Sequence, residues 1–146
     1  LIREFLMIRR AIESEIAGLA SRSFDDGARD AIRRNLAQQR AAVASDDVEA
    51  FYALDVEFHQ LIIEPLRLTH AIDTLEAART HLERMRRLLL TPPGRAALAY
   101  AEHLLVAEAI FGGKSDAARS AMRKHLDNAG ETFEKIFSDR PELFAT

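Results

Sequence analysis

Residues 48–65 read VEAFYALDVEFHQLIIEP, and the fold can be worked out from this stretch. Residues 45–47 supply N-cap groups before it, and Pro65 ends it. Asp55 and His59 lie four positions apart within its apolar arc, so their side chains share one helix face, one turn apart. The apolar residues return every three or four positions, as in an amphipathic helix; they are Val48, Phe51, Leu54, Phe58, Leu61 and Ile62.

The same helical period recurs through the rest of the chain, and no alternating strand pattern competes with it. Three breaks divide it: the capping segment 23–27, Thr-Pro-Pro-Gly at 91–94 and the glycine pair 112–113. Short connections between long helices favour antiparallel neighbours. We therefore predict an all-α, antiparallel bundle of six or seven helices, in which the fifth helix, apolar nearly all round, is central. The predicted helices cover residues 2–21, 28–44, 48–64, 68–90, 95–111 and 116–137.

Length and composition predict one domain, residues 1–146. Apolar residues make up 48% of the chain and charged residues 29%, as in a protein with a buried core, and no apolar run could span a bilayer. The net charge of −3 disfavours a segment that binds nucleic acid by itself. The absence of cysteine excludes disulfides and thiolate metal ligands, and we expect a cytoplasmic protein.

The beginning of the sequence indicates a preceding domain. Leu1 opens the chain with apolar residues already at helical spacing. A charged region followed by an apolar one, the pattern of a signal peptide, is not seen. We therefore expect this segment to follow another domain in a longer protein.

Polar side chains on apolar faces are the main functional signal. His125 lies on the apolar face of the sixth helix, and His103 lies on the apolar fifth helix. A buried imidazole or carboxylate needs a partner. With Asp55 and His59, they form a set of one carboxylate and three imidazoles from three helices. Such a set suits a divalent metal, Zn²⁺ or Ni²⁺ first, with Mn²⁺, Fe²⁺ and Co²⁺ as alternatives.

Each of these residues also has a purely structural interpretation. A single histidine on an apolar face is usually a hydrogen-bonded core residue, and Asp55 with His59 could be a helix-stabilising pair. The remaining histidines, His70 and His81, lie off the apolar arc of the fourth helix and are predicted at the surface. The joint inward placement of the other three favours a metal site. A six-coordinate ion would keep two positions open, and its surplus positive charge would favour an anionic guest.

Two arginines are candidates for binding such an anion, as effector-binding residues. Arg9 lies inside the apolar arc of the first helix, where a guanidinium needs a carboxylate or carbonyl partner. Glu13, four residues later, could be that partner, so an internal salt bridge and an effector clamp are both open interpretations. Arg86 borders the apolar stripe of the fourth helix, although its cluster with Arg84 and Arg87 is otherwise typical of a solvated face.

Four short motifs occur in a recognisable order. Residues 55–59 read Asp-Val-Glu-Phe-His and residues 102–103 read Glu-His. Residues 118–126 have the form A-x-x-A-M-x-x-H-L, and residues 8–13 read Ile-Arg-Arg-Ala-Ile-Glu. These segments resemble the D-x-x-F-H, E-H, closing and V-R-x-x-L-E motifs of the FCD domain, the C-terminal sensing domain of FadR-like GntR regulators. The resemblance covers essentially the whole chain.

The resemblance implies an all-α bundle that holds a metal through Asp55, His59, His103 and His125. Effectors in this family are commonly small organic acids or sugar acids. Full-length members carry an N-terminal winged helix-turn-helix, dimerise, and change operator affinity when the effector binds. We therefore expect a homodimer that contacts DNA only through a domain missing from this chain and that has no membrane partner.

Two positions depart from the family pattern. The usual Gly-Asn turn after the third helix is replaced by Pro-Leu-Arg-Leu-Thr at residues 65–69, so we expect an altered loop path. The Gly-Asp before the last helix is Gly113-Lys114 here, and we expect Ser115 or Asp116 to cap that helix. Neither departure touches a predicted ligand.

Two other functions are open at this point. A metalloenzyme could use the same ligands, although the chain lacks the Glu-x-x-His pair of di-iron bundles and shows no obvious general base beyond the ligands. A metal-free dimerisation domain could keep the histidines as a core network. Absence of bound metal, with no rise in melting temperature on adding Zn²⁺ or Ni²⁺, would favour that second alternative.

Overall fold

The computed structural model describes residues 1–145 and contains six α-helices, with no strand in that range. Two short 3₁₀ turns follow α3 and α6, at Glu64–Leu66 and Pro141–Phe144. The predicted all-α bundle is confirmed, and each predicted helix boundary lies within two residues of the observed one. The helices are α1 (Ile2–Ala20), α2 (Asp26–Ala44), α3 (Val48–Ile63), α4 (Thr69–Leu89), α5 (Arg95–Phe111) and α6 (Ser115–Asp139).

Aspartate side chains cap the beginnings of α2 and α3. Asp25 accepts a hydrogen bond from the backbone N–H of Ala28 at 2.7 Å, and Asp47 accepts one from that of Ala50 at 3.0 Å. Each satisfies a backbone donor that the first turn of a helix leaves free. The capping groups predicted before these two helices are therefore confirmed.

The expected cap of α6 is wrong. The helix begins after Lys114 without a side-chain cap. The hydroxyl of Ser115 instead donates to the Gly18 carbonyl at 3.1 Å, and Asp116 pairs with Arg119 at 3.0 Å. Both side chains turn away from the free N–H groups because stronger partners lie on α1 and one turn along α6.

The turn after α3, where the sequence departs from the family pattern, reverses without glycine. Arg67 adopts a left-handed conformation with φ of 54°, and its N–H donates to the Glu64 carbonyl at 3.1 Å. A side chain in this conformation costs about 1 kcal/mol. The turn is thus built from the 3₁₀ segment and one strained residue before α4 begins.

Three apolar clusters hold the helices together. The largest joins α1, α2, α3, α5 and α6, and its members include Ala17, Ile32, Phe58, Val106 and Met122. A second cluster packs around Phe51, and a third joins α4 to α6 and the start of α1. Burial of these residues fixes the helices that carry the polar site described below.

Gly18 on α1 lies against the side chain of Arg119 on α6. A Cβ atom placed there would lie 2.6–2.7 Å from three side-chain atoms of Arg119. Arg119 crosses this glycine and reaches Glu15 on α1, with 3.1 Å between Nε and Oε2. Gly18 is therefore required by contact rather than by its backbone conformation.

The expectation that α5 is central is wrong. One face of α5 is buried against its neighbours, whereas Leu98, Leu104 and Leu105 on the other face are 61%, 41% and 58% exposed. The helix is apolar all round because leucines and alanines also occupy its outer side. Within residues 1–145, no helix is both long and apolar enough to cross a membrane.

Candidate metal centre

Four polar side chains from three helices meet inside the bundle. They are Asp55 and His59 from α3, His103 from α5 and His125 from α6, and all four are buried. Asp55 Oδ1 lies 3.1 Å from His103 Nε2 and 3.4 Å from His59 Nε2, and the Nε2 atoms of His103 and His125 are 3.3 Å apart. Ligands about 2.1 Å from one ion lie roughly 3.0–3.4 Å from each other. The group therefore has the spacing needed to bind a metal.

A chain of amides from α2 fixes the orientation of His103. The backbone carbonyl of Leu54 can only accept, so Asn35 must donate its Nδ2–H to it, at 3.1 Å. Asn35 Oδ1 then accepts from Gln39 Nε2 at 2.6 Å, which leaves Gln39 Oε1 facing His103 Nδ1 at 2.7 Å. His103 Nδ1 must therefore carry the hydrogen. Its Nε2 is left with a lone pair that points to the other three ligands.

His125 has an acidic partner on its outer nitrogen. Glu102 Oε1 lies 2.9 Å from His125 Nδ1 and 3.0 Å from Arg95 Nη2. Asn128 donates to the other carboxylate oxygen at 2.5 Å. Burial would raise the pKa of Glu102, but the hydrogen bonds from His125 and Asn128 lower it to about 2. Glu102 is thus ionised and accepts from Nδ1, which again leaves Nε2 free for a metal.

His59 also lies beside a carboxylate, in a less regular arrangement. Glu13 Oε1 is 2.7 Å from His59 Nδ1, but the N–H does not point at it, so the contact is an ion pair more than a hydrogen bond. Arg9 donates to Glu13 at 2.5 Å and lies 3.2 Å from His59 Nε2. The internal salt bridge that the sequence left open is therefore present. Burial opposes a charge on His59, but the Glu13 carboxylate outweighs it and raises the pKa of His59.

The charges of the other three ligands are set by burial and by their neighbours. Burial would raise the pKa of Asp55, but the Arg86 guanidinium and the neighbouring His59 hold it well below its usual range. Burial lowers the pKa of His103 to about 3 and also lowers the pKa of His125. At neutral pH these three residues thus offer an ionised carboxylate and two neutral imidazoles, which are the forms that coordinate metals.

Arg86 points into the protein, whereas its neighbours Arg84 and Arg87 are exposed as predicted. Its Nη2 donates to Asp55 Oδ2 at 2.8 Å, so it binds the carboxylate oxygen that faces away from the histidines. Its Nε is buried and finds no acceptor among residues 1–145. An unpaired buried donor costs free energy, so this atom is available for a ligand.

Two cavities adjoin these groups. The larger has a volume of about 100 Å³, lies between α1, α3 and α4, and is lined in part by His59. The smaller, of about 30 Å³, touches Asp55 and His125. Arg9 and Arg86 line both cavities. The two guanidinium groups therefore stand between the candidate ligands and a space that can hold a small molecule.

The structure brings together the four predicted ligands and both predicted arginines, and it places His70 and His81 at the surface as expected. Sequence reasoning missed Gln39, although it follows Ile32 and Leu36 at the spacing of a buried stripe. It also missed Arg95, which stands directly after the break at 91–94 and carries no signal of its own.

Comparisons with known proteins show what the chain is similar to. A family model described as the FCD domain matches residues 4–128. An HTH-type transcriptional regulator in an unstable DNA locus of Streptomyces ambofaciens is 33% identical over 139 residues, which cover 95% of this chain and 58% of that protein. The HTH-type transcriptional repressor RspR of Escherichia coli K12 is 27% identical over 144 residues, covering 99% of this chain and 63% of that protein.

A third relative is the putative L-lactate dehydrogenase operon regulatory protein of Escherichia coli K12. It is 29% identical over 145 residues, covering 94% of this chain and 53% of that protein. The chain spans about three fifths of the length of the first two relatives. The match over residues 4–128 and the similarity to transcription regulators along nearly the whole length show that this chain belongs to the FCD domain family.

Proposed function

We propose that this chain, residues 1–146, is the ligand-sensing domain of a bacterial HTH-type transcription regulator. In this proposal, a divalent metal and two arginines bind a small carboxylate effector inside the helical bundle. The observation that supports it most is the convergence of one aspartate and three histidines beside two buried arginines and a cavity.

The proposed metal ligands are Asp55 Oδ1 and the Nε2 atoms of His59, His103 and His125. Oxygen and nitrogen donors suit Zn²⁺ or Ni²⁺, with Mn²⁺, Fe²⁺ and Co²⁺ as alternatives. When bound, the ion supplies a Lewis-acidic centre with about one surplus positive charge after Asp55 is counted, which attracts an anion. The acceptors on the outer nitrogens of His103 and His125 support this role because they orient these two rings toward the common centre.

Arg9 and Arg86 are the proposed partners of the effector's carboxylate. The unpaired Nε of Arg86 supports this role, since a carboxylate oxygen would supply the missing acceptor. Arg9 is held by Glu13 and borders both cavities. The salt bridge and the clamp are therefore compatible, because Glu13 fixes the guanidinium in position for a second anion.

The whole protein is proposed from its relatives. They are HTH-type regulators that are longer than this chain, so we propose a DNA-binding helix-turn-helix domain before it and a homodimeric, cytoplasmic regulator. The name of one relative connects that protein with the L-lactate dehydrogenase operon. We extend to this chain only the wider class, a small organic acid or a sugar acid.

The proposed mechanism is a shift between two arrangements of the domain. The candidate ligands lie on α3, α5 and α6, whereas the arginines lie on α1 and α4. An effector that touches both sets would favour the arrangement in which they are closest, and DNA affinity would follow. The shift cannot exceed the difference in effector affinity between the two arrangements.

Arg9→Ala tests the clamp. Loss of a charge-assisted hydrogen bond costs about 1.5–3 kcal/mol, so effector affinity should fall roughly 10- to 150-fold while the metal stays bound. Calorimetry with a bound organic acid and elemental analysis measure the two effects. Arg10→Ala is the matched control, because Arg10 is exposed and pairs with Asp127 on the outside. Unchanged effector affinity in Arg9→Ala would remove this residue from the site.

A further inference from the structure

The walls of the larger cavity point to a narrower class of effector. We infer that the effector is a short monocarboxylate with a hydrocarbon tail, rather than a sugar acid or a dicarboxylate. This inference rests on the proposed sensing function, because the same cavity and the same two arginines are involved.

The inner end of the cavity is positively charged and suits a single carboxylate. Arg9, Glu13, His59 and Arg86 line this end, and all four are buried. Two guanidinium groups with the unpaired Arg86 Nε supply donors that a carboxylate can accept from. The anionic end of the effector therefore belongs here, beside the candidate metal ligands.

The middle of the cavity is apolar. It is formed mainly by apolar side chains of α3 and α4, and the amide of Gln60 is the one uncharged amide group in the lining. A sugar acid placed here would bury several hydroxyl groups without partners, which is unfavourable. A hydrocarbon tail gains affinity from the same surface. The wall residues are Val56, Ile63, Ile72, Leu75, Ala78 and Leu82.

The outer end disfavours a second carboxylate. Glu64 and Glu76 lie there with one cation, Arg79, which already donates to Glu76 at 2.6 and 3.0 Å. The remaining charge is negative, so a dicarboxylate long enough to cross the apolar section would meet like charge. The charge pattern along the cavity, positive inside and negative outside, thus selects one carboxylate.

The volume limits the length of the tail. An apolar cavity of about 150 Å³ takes up benzene, with its six carbons. On the same measure, the present cavity of about 100 Å³ holds roughly four non-hydrogen atoms, and the adjoining cavity of about 30 Å³, also lined by Arg9 and Arg86, holds about one more. Because the carboxylate itself accounts for three of these atoms, the best straight-chain acid should be propanoate or butanoate.

A chain-length series tests the inference on the Zn²⁺-loaded chain. Binding of acetate, propanoate, butanoate, pentanoate and hexanoate is measured by calorimetry, with gluconate and succinate beside them. Each buried CH₂ contributes about fourfold in affinity. We expect a rise of that size per carbon up to propanoate or butanoate, weaker binding of pentanoate and hexanoate, and at least tenfold weaker binding of gluconate and succinate than of butanoate.

Ala78→Leu shows whether this cavity holds the tail. The larger side chain should fill the apolar section, so the gain from acetate to butanoate should disappear while the metal content stays the same. Ala77→Leu is the matched control, because Ala77 is exposed on the same helix. If Ala78→Leu does not fold, the chain-length series on the unaltered chain still tests the inference.

The possible results distinguish a failure of the inference from a failure of the proposed sensing function. Tighter binding of gluconate or succinate than of butanoate would overturn the inference and leave a carboxylate sensor in place. Equal affinity along the whole series would also overturn it. Failure of every acid to bind at millimolar concentration would overturn the proposed function itself.

Discussion

Gln39 decides which nitrogen of His103 carries a hydrogen, although it lies on a different helix. The direction of the amide chain is set by the Leu54 carbonyl, which can only accept. The opposite tautomer of His103 would place two acceptors against each other and a hydrogen toward the candidate metal position. An uncharged side chain thus orients a candidate metal ligand, as outer partners of metal-binding histidines commonly do.

Gln39→Leu should therefore weaken metal binding. Removing such an outer partner typically lowers affinity 10- to 100-fold, and we expect a loss in this range for Zn²⁺ in competition with a chelating indicator. Nitrogen NMR of the metal-free variant should show His103 in a mixture of both tautomers. Gln38→Leu is the control, since Gln38 is the exposed neighbour on the same helix.

A purely structural role for Gln39 would give a different result. Gln39→Leu would then change the free energy of unfolding with and without Zn²⁺ by the same amount, at constant metal affinity. Gln39→Glu keeps an acceptor at Nδ1 but places its other oxygen against the Asn35 Oδ1 acceptor, so it should restore only part of the affinity. Equal metal affinities of the leucine variant and the original chain would contradict the positioning role.

The candidate ligands could be found from the sequence because they interrupt apolar faces. Asp55, His59 and His125 each stand among residues that must be buried, so their inward direction followed from spacing alone. Gln39 lies on a polar helix, where one more amide side chain does not stand out from its neighbours as a buried residue. That the four ligands bind an ion stays a prediction.

At the scale of elements, the crossing of α1 and α6 depends on the absence of one side chain. Gly18→Ala should destabilise the domain by about 1 kcal/mol, because overpacking against Arg119 costs roughly 1–3 kcal/mol and outweighs the better helix propensity of alanine. Denaturation by urea measures the change in the free energy of unfolding.

The double variant identifies the cause. In the background of Arg119→Ala, the obstructing side chain is gone, so Gly18→Ala should stabilise by roughly 0.5–1 kcal/mol. Gly130→Ala is a useful comparison, because a Cβ there meets nothing within 4 Å. The same loss of stability from Gly18→Ala in both backgrounds would show that Arg119 is not responsible.

Helix positions were predictable because the breaks are local signals of proline, glycine and capping residues. The exposure of one face of α5 could not be predicted, because an apolar residue on a helix can face the core or the solvent with the same sequence pattern. The cap of α6 was also missed, because Ser115 and Asp116 find partners on α1 and α6 that local reasoning does not see.

At the scale of the whole molecule, a metal would join three helices and should raise thermal stability. At a free Zn²⁺ concentration of 100 times the dissociation constant, linkage adds about 2.7 kcal/mol. For a domain of this size, that corresponds to a rise in Tm of roughly 5–10 °C. His125→Ala should abolish most of the rise, whereas the surface variant His70→Ala should keep it.

The rise in Tm on binding Zn²⁺ should also depend on pH. The pKa of His59 is raised in the metal-free fold, so below about pH 6.5 this imidazole holds a proton that stabilises the metal-free form and must leave before Nε2 can bind. We expect the Zn²⁺-induced rise in Tm to shrink from pH 8 to pH 6, with proton release seen by calorimetry in two buffers. A rise that does not change over this range would contradict a role for His59 as ligand.

The buried polar network has one member from every helix of the bundle. Local unfolding of a single helix would leave a buried charge or amide without its hydrogen-bond partner. This costs free energy even when little apolar surface is exposed. Partial openings are therefore suppressed, and the six helices should come apart as one cooperative unit. The members are Glu13 on α1, Gln39 on α2, Asp55 on α3, Arg86 on α4, His103 on α5 and His125 on α6.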